Sequence, residues 1–269
     1  MPHEPQEPTI PTVPSEKAAM VEAMFDRIAG RYDTMNDVMT FGMHRLWKDA
    51  TLRALGGRRH AQVLDVATGT GDLALALATR SRTARVVGLD FSAQMLARAA
   101  VRGRATPATV TERLTWLRGD ALALPFADSA FSAATSAFAL RNVADLGRMF
   151  RELARVLGPG GRVALLDLVP IPDPPLWTRL AQFHLQQIVP RAGKFLAGDT
   201  AAYIYLPTSI GTIPPLPEIA RMVADAGFTD VRQRLFGAGT VALITGTRRA
   251  GYPRTVGHDS DDAKCSVSQ

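Results

Sequence analysis

Short, continuously apolar runs alternate along this chain with stretches whose apolar residues recur every three or four positions. Runs of the first kind read as strands buried on both faces, and stretches of the second kind as amphipathic helices. Strands are predicted over 62–67 and 85–90, with helices over 71–80 and 92–102. Ser92 is the expected N-cap of the latter helix. Leu114–Arg118 is the third predicted strand, Phe131–Phe138 the fourth and Gly161–Val169 the fifth. A helix over Asp145–Leu157 links the last two and stops at Gly158-Pro159-Gly160-Gly161. A helix over 217–226 ends at Gly227. Strands Asp230–Phe236 and Thr240–Thr247 follow, joined by only Gly237-Ala238-Gly239, which makes them an antiparallel hairpin. Upstream, Lys17–Ala29 is predicted helical, with Ala19, Met20, Ala23, Met24 and Ile28 on one face, and a second helix covers His44–Leu55. Alternation of this kind predicts an α/β fold with a seven-stranded, mostly parallel sheet and a terminal antiparallel hairpin.

One domain is expected over 17–248, with an N-terminal helical cap at 17–56. The proline-rich residues 1–16 and the polar tail 249–269 are expected to be disordered. Residues 170–206 break the alternation. Pro170, Pro172, Pro174 and Pro175 open them, an apolar helix over about 175–188 follows, and the length suggests a helical lid. No run of 18 uncharged apolar residues appears, so no transmembrane helix is expected. The first residues lack the pattern of a secretory signal. Cys265, in the polar tail, is the single cysteine, which argues against a disulfide scaffold or a cysteine metal site and for a reducing cytoplasm; no metal site is expected. The net charge is +6, but the basic residues are not interleaved with aromatics. Nucleic acid is therefore not an expected partner, and most of the charge reads as solvated surface.

The chemistry concentrates in Val63-Leu64-Asp65-Val66-Ala67-Thr68-Gly69-Thr70-Gly71-Asp72-Leu73 and in Asp90, which ends the next strand. A strand breaking into a glycine turn lets backbone approach a ligand, and an acid at the tip of the second strand can accept hydrogen bonds from ribose hydroxyls. A dinucleotide would need its pyrophosphate at the helix N-terminus. There Asp72 would repel it, so a nucleoside without phosphates fits better. S-adenosylmethionine is one: its sulfonium and amino-acid tail tolerate nearby carboxylates. Asp65 is read as orienting the loop rather than the ligand.

The run Tyr32-Asp33-Thr34-Met35-Asn36-Asp37-Val38-Met39-Thr40-Phe41-Gly42-Met43-His44-Arg45-Leu46-Trp47-Lys48 resembles the signature of the quinone-biosynthesis C-methyltransferases. These act on demethylmenaquinone or on the polyprenyl-methoxy-benzoquinol of the ubiquinone path. Leu140-Arg141-Asn142-Val143, Arg155-Val156-Leu157-Gly158-Pro159-Gly160-Gly161 and Asp199-Thr200-Ala201-Ala202-Tyr203-Ile204-Tyr205-Leu206 carry the resemblance further, so that it spans about 20–248. It implies a class I S-adenosylmethionine-dependent methyltransferase. By resemblance, Thr70, between Gly69 and Gly71, contacts the amino-acid part of the cofactor, Asp90 the ribose, and Asp120-Ala121 the adenine. Departures are Ala137 where a serine is usual, Thr40 for serine, Gly158 for lysine, Asp167 for glutamate and Val169 for serine. The last three fall at the fifth strand, near the expected substrate pocket.

The implied reaction moves a methyl group from sulfonium to a ring carbon of a hydroquinone, which needs in-line alignment and a group favouring the phenolate. Arg141 is the candidate for stabilising phenolate and Asn142 for orienting the ring. Tyr32 is expected to close over the cofactor, and Asp33 or His44 to assist proton removal. A turn-and-cap role is the plainer alternative for each of these. His184 reads as a packing residue. The apolar segment with Leu176, Trp177, Leu180, Phe183, Leu185, Ile188 and Val189 is expected to line a polyprenyl groove and to touch the membrane peripherally. A homodimer is allowed, and the expected location is the cytoplasm, at the inner face of the membrane. Competing readings are a methyltransferase for another lipid or small aromatic metabolite, a dinucleotide-dependent oxidoreductase, and an RNA methyltransferase. The last is disfavoured because Ala139-Leu140-Arg141-Asn142 stands where an Asn-Pro-Pro-Tyr type motif would follow the fourth strand.

Overall fold

Val63, Leu64 and Val66 are wholly shielded from solvent in β1 (Gln62–Val66), because parallel neighbours flank that strand on both sides. A computed structural model describes residues 14–56, 61–81, 84–170 and 209–251. β1 pairs with β2 (Arg85–Asp90) on one side and β4 (Phe131–Ala137) on the other. β3 (Leu114–Arg118), β5 (Leu157–Leu168), β6 (Phe228–Phe236) and β7 (Val241–Arg248) complete a seven-stranded sheet of order β3-β2-β1-β4-β5-β7-β6. Only β7 runs against its neighbours, with Leu165 of β5 opposite Ile244 and Leu235 of β6 opposite Ala242. The strand order reverses between β1 and β4, which opens a crevice at the carboxyl ends of the strands.

Helices cover both faces. α7 (Leu146–Val156) and α8 (Leu216–Asp225) bury Met149, Phe150, Leu153, Ile219 and Val223 against Leu64 and Leu165. Each of these large side chains gains about 1.5–3 kcal/mol from burial. Asp145 caps α7 by accepting the Arg148 N–H at 2.8 Å. On the other face, α3 (Met43–Ala54) and α4 (Asp72–Arg80) pack Trp47, Leu52, Leu73 and Leu77 against Val63, Val86, Leu166 and Leu243. α5 (Ala93–Arg104) is capped at Ser92, whose hydroxyl accepts the Met95 N–H at 3.1 Å, as the sequence predicts. α1 (Pro14–Ile28) forms a small separate cluster, Val21 and Met24 with Phe25 and Phe91, at the edge of the crevice.

The structure departs from the sequence pattern in five places. α2 (Tyr32–Thr40) and the short α6 (Ala108–Thr111) are helices that the pattern does not announce. β5 starts at Leu157, which pairs with Phe131; the chain then bulges through Gly158–Gly161, with Gly160 at φ +74, before the register resumes with Arg162 opposite Ala133. β6 starts at Phe228 rather than Asp230. Residues 1–13, 171–208 and 252–269, which hold most of the two termini, nearly all of the segment expected to be a lid, and His184, lie outside the described residues; α1 starts at Pro14, inside the stretch expected to be disordered.

Candidate active site

A cavity of about 520 Å³ lies at the carboxyl ends of β1, β2 and β4, roofed by α1 and the start of α2. Its floor is the turn after β1. Gly69 has φ +56, and a Cβ there would have only the Tyr32 ring near it, at 4.0 Å, so this glycine leaves room for a ligand. Gly71 has another purpose: a Cβ at that position would lie 2.7 Å from the Trp116 ring, so the residue is small to let that ring fit beneath α4. Of the two glycines named for the cofactor, Gly69 lines the cavity and Gly71 does not.

Asp90 stands at the tip of β2, 5% exposed. The Gly69 N–H donates to its Oδ2 at 2.7 Å and the Ser92 N–H to its Oδ1 at 2.9 Å. Burial, without a cation to offset it, raises the carboxyl to about 6. Asp120 and Ala121 line the wall after β3, where the Leu122 N–H donates to Asp120 Oδ1 at 2.8 Å. Tyr32 meets Phe25 edge-on at 5.9 Å, which closes the cap side of the cavity. Ala137, Phe138 and Asn142 form the opposite wall, and the Asn142 amide donates to the Phe138 carbonyl at 3.4 Å. Ser136, beside Ala137, keeps a buried hydroxyl without a partner among the described residues.

Other residues singled out from the sequence lie elsewhere. Arg141 does not line the cavity: its Nη1 meets Asp167 Oδ1 at 2.7 Å, buried behind the wall. Asp167 also accepts the Leu140 N–H at 2.6 Å, so the pair holds the turn that presents Asn142. Burial raises the Asp167 carboxyl, and the guanidinium opposes that shift. Thr70 is likewise turned away from the cavity, giving its proton to Asp33 Oδ1 at 2.6 Å. Asp33 and His44 border a second, charged cleft with Lys48, Asp72 and Arg102. The His44 Nδ1 lies 2.9 Å from Thr40 Oγ1, and burial together with Lys48 lowers its pKa. Both are thereby corrected as bases facing an acceptor in the cavity. Asp72 is held to Lys48 at 2.6 Å and to Arg102 at 2.5 Å, and falls to about 2; burial alone would raise it, and the two cations outweigh that. Its charge is compensated, which removes the repulsion argument against a phosphate. Asp65 accepts from Thr68 and Thr135, each at 2.6 Å, and so orients the loop as expected. Gly158 packs near Ser129 and Phe131, at the opposite end of the sheet from the cavity, so its departure from the family pattern does not touch the pocket.

A model of the ubiE/COQ5 methyltransferase family matches residues 13–248. The chain belongs to that family. A demethylmenaquinone methyltransferase of Roseiflexus castenholzii is 42% identical over 234 residues, 87% of this chain and 95% of its own length. A ubiquinone/menaquinone biosynthesis C-methyltransferase of Dinoroseobacter shibae is 40% identical over 231 residues, 86% of this chain and 91% of that protein. Among solved structures, the cyclase SpnF aligns with TM-score 0.63 at 18% identity, covering 87% of this chain and 97% of its own. An Aquifex aeolicus S-adenosylmethionine-dependent methyltransferase aligns with TM-score 0.56 at 16% identity, over 80% and 97%. These structural likenesses establish the α/β methyltransferase fold, and the cyclase among them shows that the fold does not fix the reaction.

Within this methyltransferase, the cavity gathers Tyr32, Gly69, Asp90, Asp120, Ala121 and Asn142 of the residues read from the sequence. It adds Glu22 and Phe25 of α1, and Phe91, Met95 and Leu122, which the sequence reading missed. Phe91 and Leu122 each stand within two positions of a recognised carboxylate, which was the available signal. α1 was legible only as an apolar stripe, and that stripe does not say which part of it faces a ligand.

Proposed function

We propose that this methyltransferase uses S-adenosylmethionine to methylate a ring carbon of a polyprenylated hydroquinone, with demethylmenaquinol as first acceptor and the ubiquinone-path benzoquinol as second. The observation that carries the cofactor is Asp90, a buried carboxylate at a strand tip that, among the described residues, accepts from backbone N–H groups alone, beside a glycine that leaves open space. Its remaining lone pairs suit two ribose hydroxyls, and Asp120-Ala121 suits an adenine edge. The names of the relatives support the acceptor class.

S-adenosylmethionine supplies a methyl group on a good leaving group. The chain's residues therefore act mainly by alignment and by excluding water. Phe25, Phe138 and Val143 offer an apolar wall to a planar ring. Asn142 orients a phenolic oxygen or a water at its edge. Arg141 holds the Asn142 turn through Asp167 and acts on the acceptor through that turn rather than by contact. Val38, Phe41, Met43 and Leu46 are exposed around the junction of α2 and α3, Phe41 at 74% and Leu46 at 70%. They support a peripheral contact with the inner face of the membrane by a cytoplasmic enzyme. Among the described residues no helix is long and apolar enough to cross a membrane.

The deciding experiment incubates the protein with labelled S-adenosylmethionine and either reduced demethylmenaquinol or the demethylated benzoquinol. Methylated product from the naphthoquinol alone assigns the menaquinone path, and product from both assigns two paths. No product from either, with the donor bound, moves the acceptor to another lipid or aromatic metabolite. Sedimentation with anionic vesicles, with and without Phe41→Ser and Leu46→Ser, tests the membrane contact, which fails if the unaltered protein stays in solution.

A further inference from the structure

Behind the glycine turn, one guanidinium joins four pieces of the chain. Arg102, in the last turn of α5, turns the two N–H bonds of Nη1 to three acceptors that share them, the Thr70 carbonyl at 3.0 Å, Thr70 Oγ1 at 2.9 Å and Asp33 Oδ2 at 3.2 Å. Its Nη2 meets Asp72 Oδ1 at 2.5 Å. Asp33 belongs to α2 of the cap, Thr70 to the turn and Asp72 to the first turn of α4. Lys48 of α3 reaches the other oxygen of Asp72 at 2.6 Å. A planar fork with five donors can serve these acceptors together, whereas a single ammonium cannot. The two cations balance the two carboxylates, so the assembly is neutral as a whole.

Thr70 is the hinge of this arrangement. Its one proton goes to Asp33, one of its lone pairs accepts from Arg102, and the residue is only 2% exposed. The hydroxyl is therefore not presented to the cavity. What it fixes is the backbone beside Gly69, whose N–H holds Asp90 and over which the Tyr32 ring lies. Tyr32 and Asp33 are neighbours in the first turn of α2. The same clamp thus sets the floor of the cavity through Thr70 and its cap through Asp33.

We propose that Arg102 and Asp33 are positioning residues for the methyl donor: through Thr70 they hold the glycine turn and helix α2 in the one arrangement that binds it. This rests on the reading of the cavity as an S-adenosylmethionine site. The three side chains act as a unit, so removing any one releases the turn, and removing a second adds little.

Calorimetric binding of S-adenosylmethionine to the full chain tests this with Arg102→Met, Asp33→Asn, Thr70→Val and the Asp33→Asn/Arg102→Met double variant. Each single variant is expected to raise the donor Kd about tenfold, the scale of one charge-assisted hydrogen bond. The double variant is expected to lose no more than about threefold beyond the weaker single, and Arg102→Lys to fall between Arg102→Met and the unaltered protein. The Michaelis constant for the quinol is expected to stay within about twofold while that for the donor rises, a split that general loosening of the fold would not give. Melting temperatures taken alongside separate the two effects. A donor Kd unchanged in the single variants, at whatever melting temperature, overturns the proposal, and so does a double variant whose loss is the product of the two singles. Unaltered protein that binds no S-adenosylmethionine overturns the donor reading itself, and the clamp with it.

Discussion

Asp72 and Asp90 flank the same glycine turn and titrate in opposite directions. Asp72, behind the turn, has Lys48 and Arg102 on its two oxygens and sits at about 2. Asp90, in front, accepts from backbone N–H groups, Gly69 and Ser92 among them, with no cation beside it among the described residues, and burial lifts it to about 6. Both are aspartates near strand ends, and the sequence reading gave both a role toward the ligand. The difference separates a carboxylate spent on internal structure from one kept for an external donor. The charged cleft behind the turn fastens the cap to the sheet, and the cavity in front, with its uncompensated acid and aromatic wall, is where a nucleoside without phosphates and a ring can lie.

The comparison breaks most sharply at a third carboxylate. Asp167 resembles Asp72 in having an arginine, but it is shut off from solvent with it. Arg141→Met would leave that acid buried without its cation, at a cost of about 3–5 kcal/mol. The midpoint of urea unfolding is expected to fall accordingly, and Arg141→Met/Asp167→Leu to recover part of the loss. If Arg141→Met unfolds like the unaltered protein but loses turnover, Arg141 faces the acceptor and the placement behind the wall is wrong.

Asp90→Ala comes next. It removes a charged acceptor and two sites for ribose hydroxyls, and a loss of about 100-fold in donor affinity is expected. Asp72→Asn, measured beside it, should weaken binding far less, because two cations rather than a ligand use that carboxylate. Equal losses would erase the distinction between front and back of the turn.

What could be read from the sequence follows the same division. The strands were legible because β1, β2, β4 and β5 are buried on both faces and so are written as apolar runs. Asp90 was legible because it ends such a run, whereas Asp120, two positions past the only partly buried β3, was named through the family resemblance. α2 was not, since Tyr-Asp-Thr-Met-Asn-Asp-Val-Met-Thr is rich in poor helix formers and its N-cap, Arg31, makes no side-chain cap hydrogen bond. The start of β5 was missed because Gly158-Pro159-Gly160-Gly161 reads as a breaker, while its pairing with Phe131 is a tertiary effect. The ion pairs were beyond reach: Arg102 meets a threonine 32 positions away and an aspartate 69 away, and Arg141 an aspartate 26 away. Periodicity carries no information on such partners, so Arg141, Asp33 and His44 could be named as polar residues near the site without its being known which way each one faces.

A smaller effect is expected from pH. Ribose hydroxyls donate to the ionised form of Asp90, so its pKa in the complex lies below the value of about 6 in the free protein. Binding then releases a proton between those two values. Donor affinity is expected to rise with pH up to about 6, by at most about tenfold per unit, and to level off above it. Calorimetry at pH 5.5 in buffers of different ionisation enthalpy counts that proton directly, and zero release would remove Asp90 from the ribose. In the free protein the same shift acts against folding: the folded state holds the proton more tightly than the unfolded chain. The stability from this group is therefore present below about 4 and is lost as pH rises to about 6.

The smallest effect is expected at His44, and it tests the division from the far side. The ring lies in the charged cleft, against Thr40, with Asp37 3.8 Å from its Nε2. It does not line the cavity, and burial and Lys48 favour its neutral form. His44→Gln can keep the contact with Thr40, so kcat is expected to stay within about twofold, which is under ~0.5 kcal/mol in barrier. A loss of 100-fold or more, the scale of a missing general base, would mean that the cap rearranges during turnover to carry this ring to the acceptor.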